Sequence, residues 1–153
     1  MELREKIQHA TKEAMRAKDQ VRLSTLRLIG AAIKDREIAL RGEAGQAGLA
    51  DEDITSLLSR MVRQRQESAR AYEEGGRLEL AERETQEIGI IQEFLPRQLD
   101  PAEIADAIDR AVADLGAASV RDMGRVMAAL RERHAGQMDF GAAGALVKSR
   151  LMS

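Results

Sequence analysis

The residue types able to do chemistry are few in this chain of 153 residues: two histidines, no cysteine, and serines without an obvious activating context. Zero Cys excludes disulfides, thiolate metal sites and a Cys nucleophile. His9 and His134 stand near opposite ends of the chain. His9 reads as a surface residue of a first helix. His134, seven residues after Met127 and so near the same apolar face, reads as a half-buried imidazole with its hydrogen bonds met. Ser24 or Ser68 could be drawn into a Ser-His-Asp site, but nothing sets either on a strained turn beside oxyanion donors. The acids Glu73-Glu74 and Glu82/Glu84 have the makings of a metal or acid–base cluster. Beside Arg77 and Arg83 they read as solvated helix faces. Gly42, Gly45 and Gly48 lack the Lys-Ser/Thr of a phosphate-binding loop. Neither a catalytic residue nor a metal or cofactor site is expected.

Basic residues are the better lead. Lys and Arg number 24 against 26 Asp and Glu, a net charge of −2, which predicts no global attraction to nucleic acid. The charge is segregated, however. Residues 71–93 hold seven acids against Arg77 and Arg83, whereas residues 116–153 hold six bases (Arg121, Arg125, Arg131, Arg133, Lys148, Arg150) against three acids. Residues 16–41 hold seven bases against three acids. Among them Arg27, Lys34 and Arg41 recur every seven residues, close to one line on a helix and away from its apolar face. On the next helix Arg65 falls on the interior stripe 54, 58, 61, 65, 68, 72, and a buried guanidinium needs a partner. Glu84 is the expected one.

The elements that carry these residues are helices. Hydrophobic residues make up 44% of the chain, rich in Ala, Leu and Met and with two prolines, a composition that favours helix over strand. A first helix is predicted over about 2–17. A second starts near Asp19 with Leu23, Leu26, Ile29, Ile33 and Leu40 inward, and ends at the Gly42–Gly48 loop. The third opens on Asp51-Glu52-Asp53, carries Ile54, Leu57, Leu58, Met61 and Tyr72, and stops at Gly75-Gly76. The fourth turns Leu80, Ile88, Ile91 and Leu95 inward and ends at Pro96. Beyond it come three short helices: one behind the Asp100-Pro101-Ala102-Glu103 capping box, one behind Ser119-Val120-Arg121-Asp122, and one capped by Asp139. The expected architecture is all-α: an antiparallel helical hairpin or bundle of about four helices over 1–96, then a compact three-helix bundle over 97–153.

The runs Arg22-Leu23-Ser24-Thr25-Leu26-Arg27, Gln64-Arg65-Gln66-Glu67-Ser68, Gly76-Arg77, Phe94-Leu95-Pro96-Arg97-Gln98-Leu99 and Asp122-Met123-Gly124-Arg125-Val126-Met127 resemble, in order, those of the YqeY-like proteins. These belong with the GatB/YqeY domain superfamily. The part after Pro96 is similar to the tail domain of the B subunit of the tRNA-dependent glutamyl/aspartyl amidotransferase. That resemblance implies an all-α protein and a tRNA-binding module, with contact at the elbow side of the tRNA. The amidase machinery and the catalytic core of the B subunit have no counterpart here. A carbon–nitrogen ligase activity with glutamine as amido donor would thus be a label inherited by homology.

The resulting expectation is a non-catalytic tRNA-binding accessory module. Its RNA contact lies on Arg121, Arg125, Arg131, Arg133, Lys148 and Arg150, with Arg27, Lys34 and Arg41 as a secondary RNA or partner surface. The first helix after Pro96 is acidic (Glu103, Asp106, Asp109, Asp114), which suggests one acidic and one basic side to that domain. The alternative is a protein-interaction module docking on an aminoacyl-tRNA synthetase, an amidotransferase or another translation enzyme. Three aromatic residues in all argue against base stacking on single-stranded RNA. The opening Met1-Glu2-Leu3-Arg4-Glu5-Lys6 is charged at once, and no stretch approaches the roughly 18 apolar residues of a membrane span. On those signs the protein is expected to be soluble, without membrane association, and cytoplasmic.

Overall fold

The computed structural model describes residues 2–44 and 48–152, with side chains for 2–40 and 48–152. Among the described residues there are seven α-helices and no strand: α1 Leu3–Ala17, α2 Gln20–Ala44, α3 Asp51–Glu74, α4 Leu78–Gln92, α5 Pro101–Leu115, α6 Met123–Arg133 and α7 Phe140–Met152. A 3-10 turn, Val120–Asp122, leads into α6. The helices group into two units, Met1–Pro96 and Arg97–Ser153.

In the first unit, Leu3, Ile7 and Ala14 of α1 pack with Leu23, Leu26, Ile29 and Ile33 of α2, with Ile54, Leu58, Met61 and Val62 of α3, and with Ile91 of α4. Full burial of each leucine or isoleucine contributes about 1.5–3 kcal/mol against exposure. Polar groups fasten the connections. Asp19 accepts the Arg22 N–H at 3.1 Å where α2 begins. Glu37 pairs with Arg4 across α1 and α2 and accepts the Leu49 N–H at 3.1 Å, tying down the approach to α3. The Asp51 carboxylate receives the Leu3 N–H at 3.3 Å.

α3 and α4 make the most extensive helix pair and turn back on one another through Gly75 and Gly76. Gly76 takes φ +75°, a left-handed conformation open to glycine without strain. With 24 residues α3 is about 36 Å long. Its distal part reaches past the shared core, where small Ala69 and Ala81 are the buried apolar side chains.

Three boundaries and faces differ from the sequence reading. α2 runs through Gly42 to Ala44, because a single glycine costs a helix only about 1 kcal/mol and no proline follows. Residues 45–47 of the anticipated loop lie outside the described residues. Leu80 is exposed; the inward position of that turn is Ala81, a size that lets α4 approach closely. α4 itself closes at Gln92, four residues before Pro96, and half-buried Phe94 and Leu95 cover the core from the turns beyond it.

In the second unit Ala107, Ile108, Ala111 and Val112 of α5 share a core with Val126, Met127 and Leu130 of α6, and with Ala143, Val147 and Leu151 of α7. Its caps are those legible in the sequence. The Asp100 carboxylate accepts the Glu103 N–H at 2.8 Å while Glu103 accepts the Asp100 N–H at 3.1 Å. Glu103 also pairs with Arg97, and this guanidinium first, then the Asp100 N–H, hold its carboxyl down at about 2. Asp139 accepts the Gly141 N–H at 2.9 Å and starts α7. The segment after Pro96 is held by a hydrogen bond from the Gln98 side-chain N–H to the Gly136 carbonyl at 2.6 Å and by one from the Leu99 N–H to the Gln137 carbonyl at 2.9 Å.

If the two units unfold separately, Leu130→Ala, which empties a fully buried site, costs the second unit about 2–5 kcal/mol. Scanning calorimetry of the full chain is expected to show one transition lowered and the other in place. A uniform shift of the whole melt would mean a single cooperative unit.

Candidate nucleic-acid interface

The six bases between Arg121 and Arg150 fall into three environments. Arg125, Arg133 and Arg150 are engaged with acids. Arg125 bonds Asp122 at 3.1 Å and also donates to the Leu115 carbonyl at 2.9 Å. Arg133 reaches Asp114 at 2.9 Å, and Arg150 reaches Asp109 at 2.9 Å. Arg131 lies over the Phe140 ring, 5.7 Å from its centroid. Arg121 and Lys148 are exposed and make no side-chain hydrogen bond or ion pair among the described residues.

These pairs correct the picture of an acidic side and a basic side. Asp109 and Asp114 of α5 stand against Arg150 of α7 and Arg133 of α6, so part of the positive excess is neutralised across the helices. Spacing along the chain shows how charge is distributed in sequence; it does not show which charges meet once helices pack. A groove of about 480 Å³ in this unit, lined by Arg97, Arg110, Arg133 and His134 with Glu103, Asp106 and Asp114, was not foreseen. Each of its three guanidinium groups is paired with one of those three acids. His134 is half-buried and its Nδ1 is 3.1 Å from the Gln137 amide oxygen.

In the first unit Arg27 and Lys34 are exposed on α2 without a partner among the described residues. The side chain of Arg41 lies outside the described residues. Two polar residues of the signature runs tie helices together. Arg22 clasps Glu93 through both terminal nitrogens, at 2.6 and 2.9 Å, joining α2 to the end of α4. Arg65, 16% exposed, bonds Glu87 at 3.0 Å and the Met61 carbonyl at 3.2 Å. The partner of Arg65 is therefore Glu87 rather than Glu84. One turn further along α4, Glu87 comes level with Arg65 and its side chain is 14% exposed. Glu84 stays close by. Burial first, then the like charge of Glu87, push its carboxyl above the usual range.

A groove of about 480 Å³ opens between α2 and α4, lined by Val21, Ser24 and Thr25 on one side and by Glu79, Glu82, Arg83 and Glu87 on the other. Thr25 is buried and donates to the Val21 carbonyl at 3.2 Å. Ser24 is exposed and His9 lies on α1, also exposed. Among the described residues no group of three or more His, Cys, Asp or Glu could hold a metal ion. No helix among them is long and apolar enough to cross a membrane.

Two helical units, interhelical pairs at Arg22 and Arg65, and unpaired bases on exposed faces define a helical module. The chain matches the Yqey-like protein family over residues 4–151 and belongs to that family. Among curated relatives, altered inheritance of mitochondria protein 41, mitochondrial, of Lachancea thermotolerans is 36% identical over 104 residues, 68% of this chain and 52% of the relative. The protein of that name in Vanderwaltozyma polyspora is 30% identical over 106 residues, 68% of this chain and 55% of the relative. In Saccharomyces cerevisiae the identity is 33% over 85 residues, 55% of this chain and 43% of the relative. The chain thus spans about half the length of the curated relatives it matches.

These names overturn the expectation of a cytoplasmic protein, since each relative is designated mitochondrial. Cysteine usage separates oxidising from reducing compartments, and an apolar N-terminal run marks secretion. Neither sign excludes an organelle.

The environment of Glu84 gives a pH test. Its raised carboxyl binds a proton more tightly in the folded chain than in the unfolded one. Its contribution to stability is thus complete below the unfolded value, about 4.3, and is lost as pH rises through the folded value. Glu84→Gln, permanently neutral, is expected to melt above the parent at pH 7, with the gap closing towards about pH 4. A gap that is absent at pH 7, or equal at both pH values, would contradict this reading of the α3–α4 contact.

Proposed function

We propose that the chain is a non-catalytic accessory module that binds tRNA, with the Arg97–Ser153 unit making the main contact at the elbow side. The observation that carries the proposal is the pair Arg121 and Lys148, exposed cations with no acid partner among the described residues. Such groups meet phosphate without first giving up an internal bond. Ala145 lies on the exposed face of α7 that carries Lys148, and its short side chain lets a ribose–phosphate chain come near the helix. The similarity of this part of the chain to the amidotransferase B tail supports the same reading. It also makes an aminoacyl-tRNA synthetase or an amidotransferase the class of enzyme beside which the module works. Arg131 adds a cation held over a ring, and Arg125, Arg133 and Arg150 contribute less because their charge is answered locally.

Fluorescence anisotropy with tRNA across a salt series tests this. Arg121→Ala with Lys148→Ala is expected to weaken binding and to lower the salt slope by roughly 0.7–0.9 for each phosphate left without its cation. Arg133→Ala with Arg150→Ala is expected to leave the slope nearly unchanged. Equal effects of the two pairs, or binding that ignores salt, would remove the second unit as the contact. A second test is chemical: the purified chain is expected to hydrolyse no glutamine. Turnover abolished by Ser24→Ala or Ser68→Ala, and kept in a surface control, would overturn the non-catalytic assignment.

A further inference from the structure

α2 has apolar residues on two faces, and the core accounts for one of them. Leu23, Leu26, Ile29 and Ile33 are buried. On the far side Val21, Ser24, Leu28, Ala31, Asp35 and Ile38 follow one another at intervals of three and four, and all six are exposed. Val21 is 53%, Leu28 43% and Ile38 53% exposed. Alternating three and four is the spacing of a coiled-coil seam, on which side chains of a facing helix interlock. The seam covers 18 positions, about 26 Å of helix.

The charges beside the seam are arranged to match it. Each of Arg27 and Lys34 directly precedes a seam residue that opens a heptad, Leu28 and Asp35, which is a flanking position of such a seam. Both are exposed and without a partner among the described residues. Along the other edge, near the start of α2, Glu79 and Glu82 of α4 line the groove with Val21 and Ser24. A basic flank bounds one side and an acidic wall bounds part of the other.

We propose that the outer face of α2 docks an amphipathic helix of another protein. That helix is acidic along the edge meeting Arg27 and Lys34. A nucleic acid offers nothing to cover Val21, Leu28 and Ile38, and Glu79 and Glu82 repel it. An antiparallel second copy of this chain is disfavoured by charge. In an antiparallel pair of seams, like flanking positions face each other, so Arg27 and Lys34 would meet their own counterparts. This site belongs to the first unit and does not rest on tRNA binding by the second.

The probes are two synthetic helical peptides of about 21 residues with Leu at the seam positions, one with Glu and one with Lys at the flanking positions. Titrated into the full-length chain by anisotropy at low salt, the Glu peptide is expected to bind about tenfold more tightly than the Lys peptide. Arg27→Glu with Lys34→Glu is expected to reverse that preference. Leu28→Ser, an exposed change that leaves the circular dichroism melt in place, is expected to weaken the Glu peptide by about tenfold. Binding of neither peptide, equal binding of both, or a preference untouched by charge reversal would overturn the proposal. So would a dimer in sedimentation velocity that Leu28→Ser dissociates, which would make the occupant a second copy. Loss of tRNA binding in Leu28→Ser would assign the face to RNA, whereas tRNA binding retained beside abolished peptide binding separates the two sites.

Discussion

Arg65 lies on the inward stripe of α3, and its guanidinium is too enclosed to be left to water. Glu87 of α4 answers it at 3.0 Å, and the Met61 carbonyl takes a further N–H. Removing one member of such a pair leaves an uncompensated charge, a penalty of a few kcal/mol, so the contact acts as a constraint on where α4 can lie. Once Glu87 is placed, the glutamate nearly two turns beyond it, Glu93, falls beside Arg22, and α4 is secured to α2 as well as α3. The α2–α4 groove and the position of Glu79 and Glu82 along it follow from that placement.

Helix type and the caps of the second unit were legible because they rest on local chemistry. A Ser or Asp three residues before an acid satisfies neighbouring N–H groups whatever the rest of the chain does, as Asp100 with Glu103 and Ser119 with Asp122 illustrate. Partners across helices were less legible. Glu84 and Glu87 sit within one turn, and the sequence does not state the angle at which α4 crosses α3, so the carboxylate nearer the hairpin end was the wrong choice. Leu80 and Ala81 differ for a similar reason: hydrophobicity favours leucine inside, but close helix approach favours the smaller residue. The pairing of Asp109 and Asp114 with bases of α7 and α6 was invisible to charge counting.

Charge in this protein therefore divides into two populations. Arg22, Arg65, Arg125, Arg133 and Arg150 are committed to carboxylates and act as fasteners. Arg27, Lys34, Arg121 and Lys148 are uncommitted among the described residues. Of the first population, Arg22, Arg65 and Arg125 belong to the signature runs, where they fasten the chain. The second supplies the surfaces on which recognition is proposed, one in each unit.

The turn at Gly75 and Gly76 has a bearing on how the chain can change length over time. Arg65 stands ten residues before Gly75 and Glu87 eleven after Gly76, so the two arms of the hairpin are matched like the teeth of a closed zip. One residue inserted in either arm between the turn and the ion pair swings everything beyond it by about 100° and carries one charge away from the other. A deletion does the same in the opposite sense. Indels in this stretch are therefore tolerated only as compensated pairs, a heptad added to both arms or removed from both. Lengthening in descendants of this sequence is steered instead to the connections before α3 and after α4.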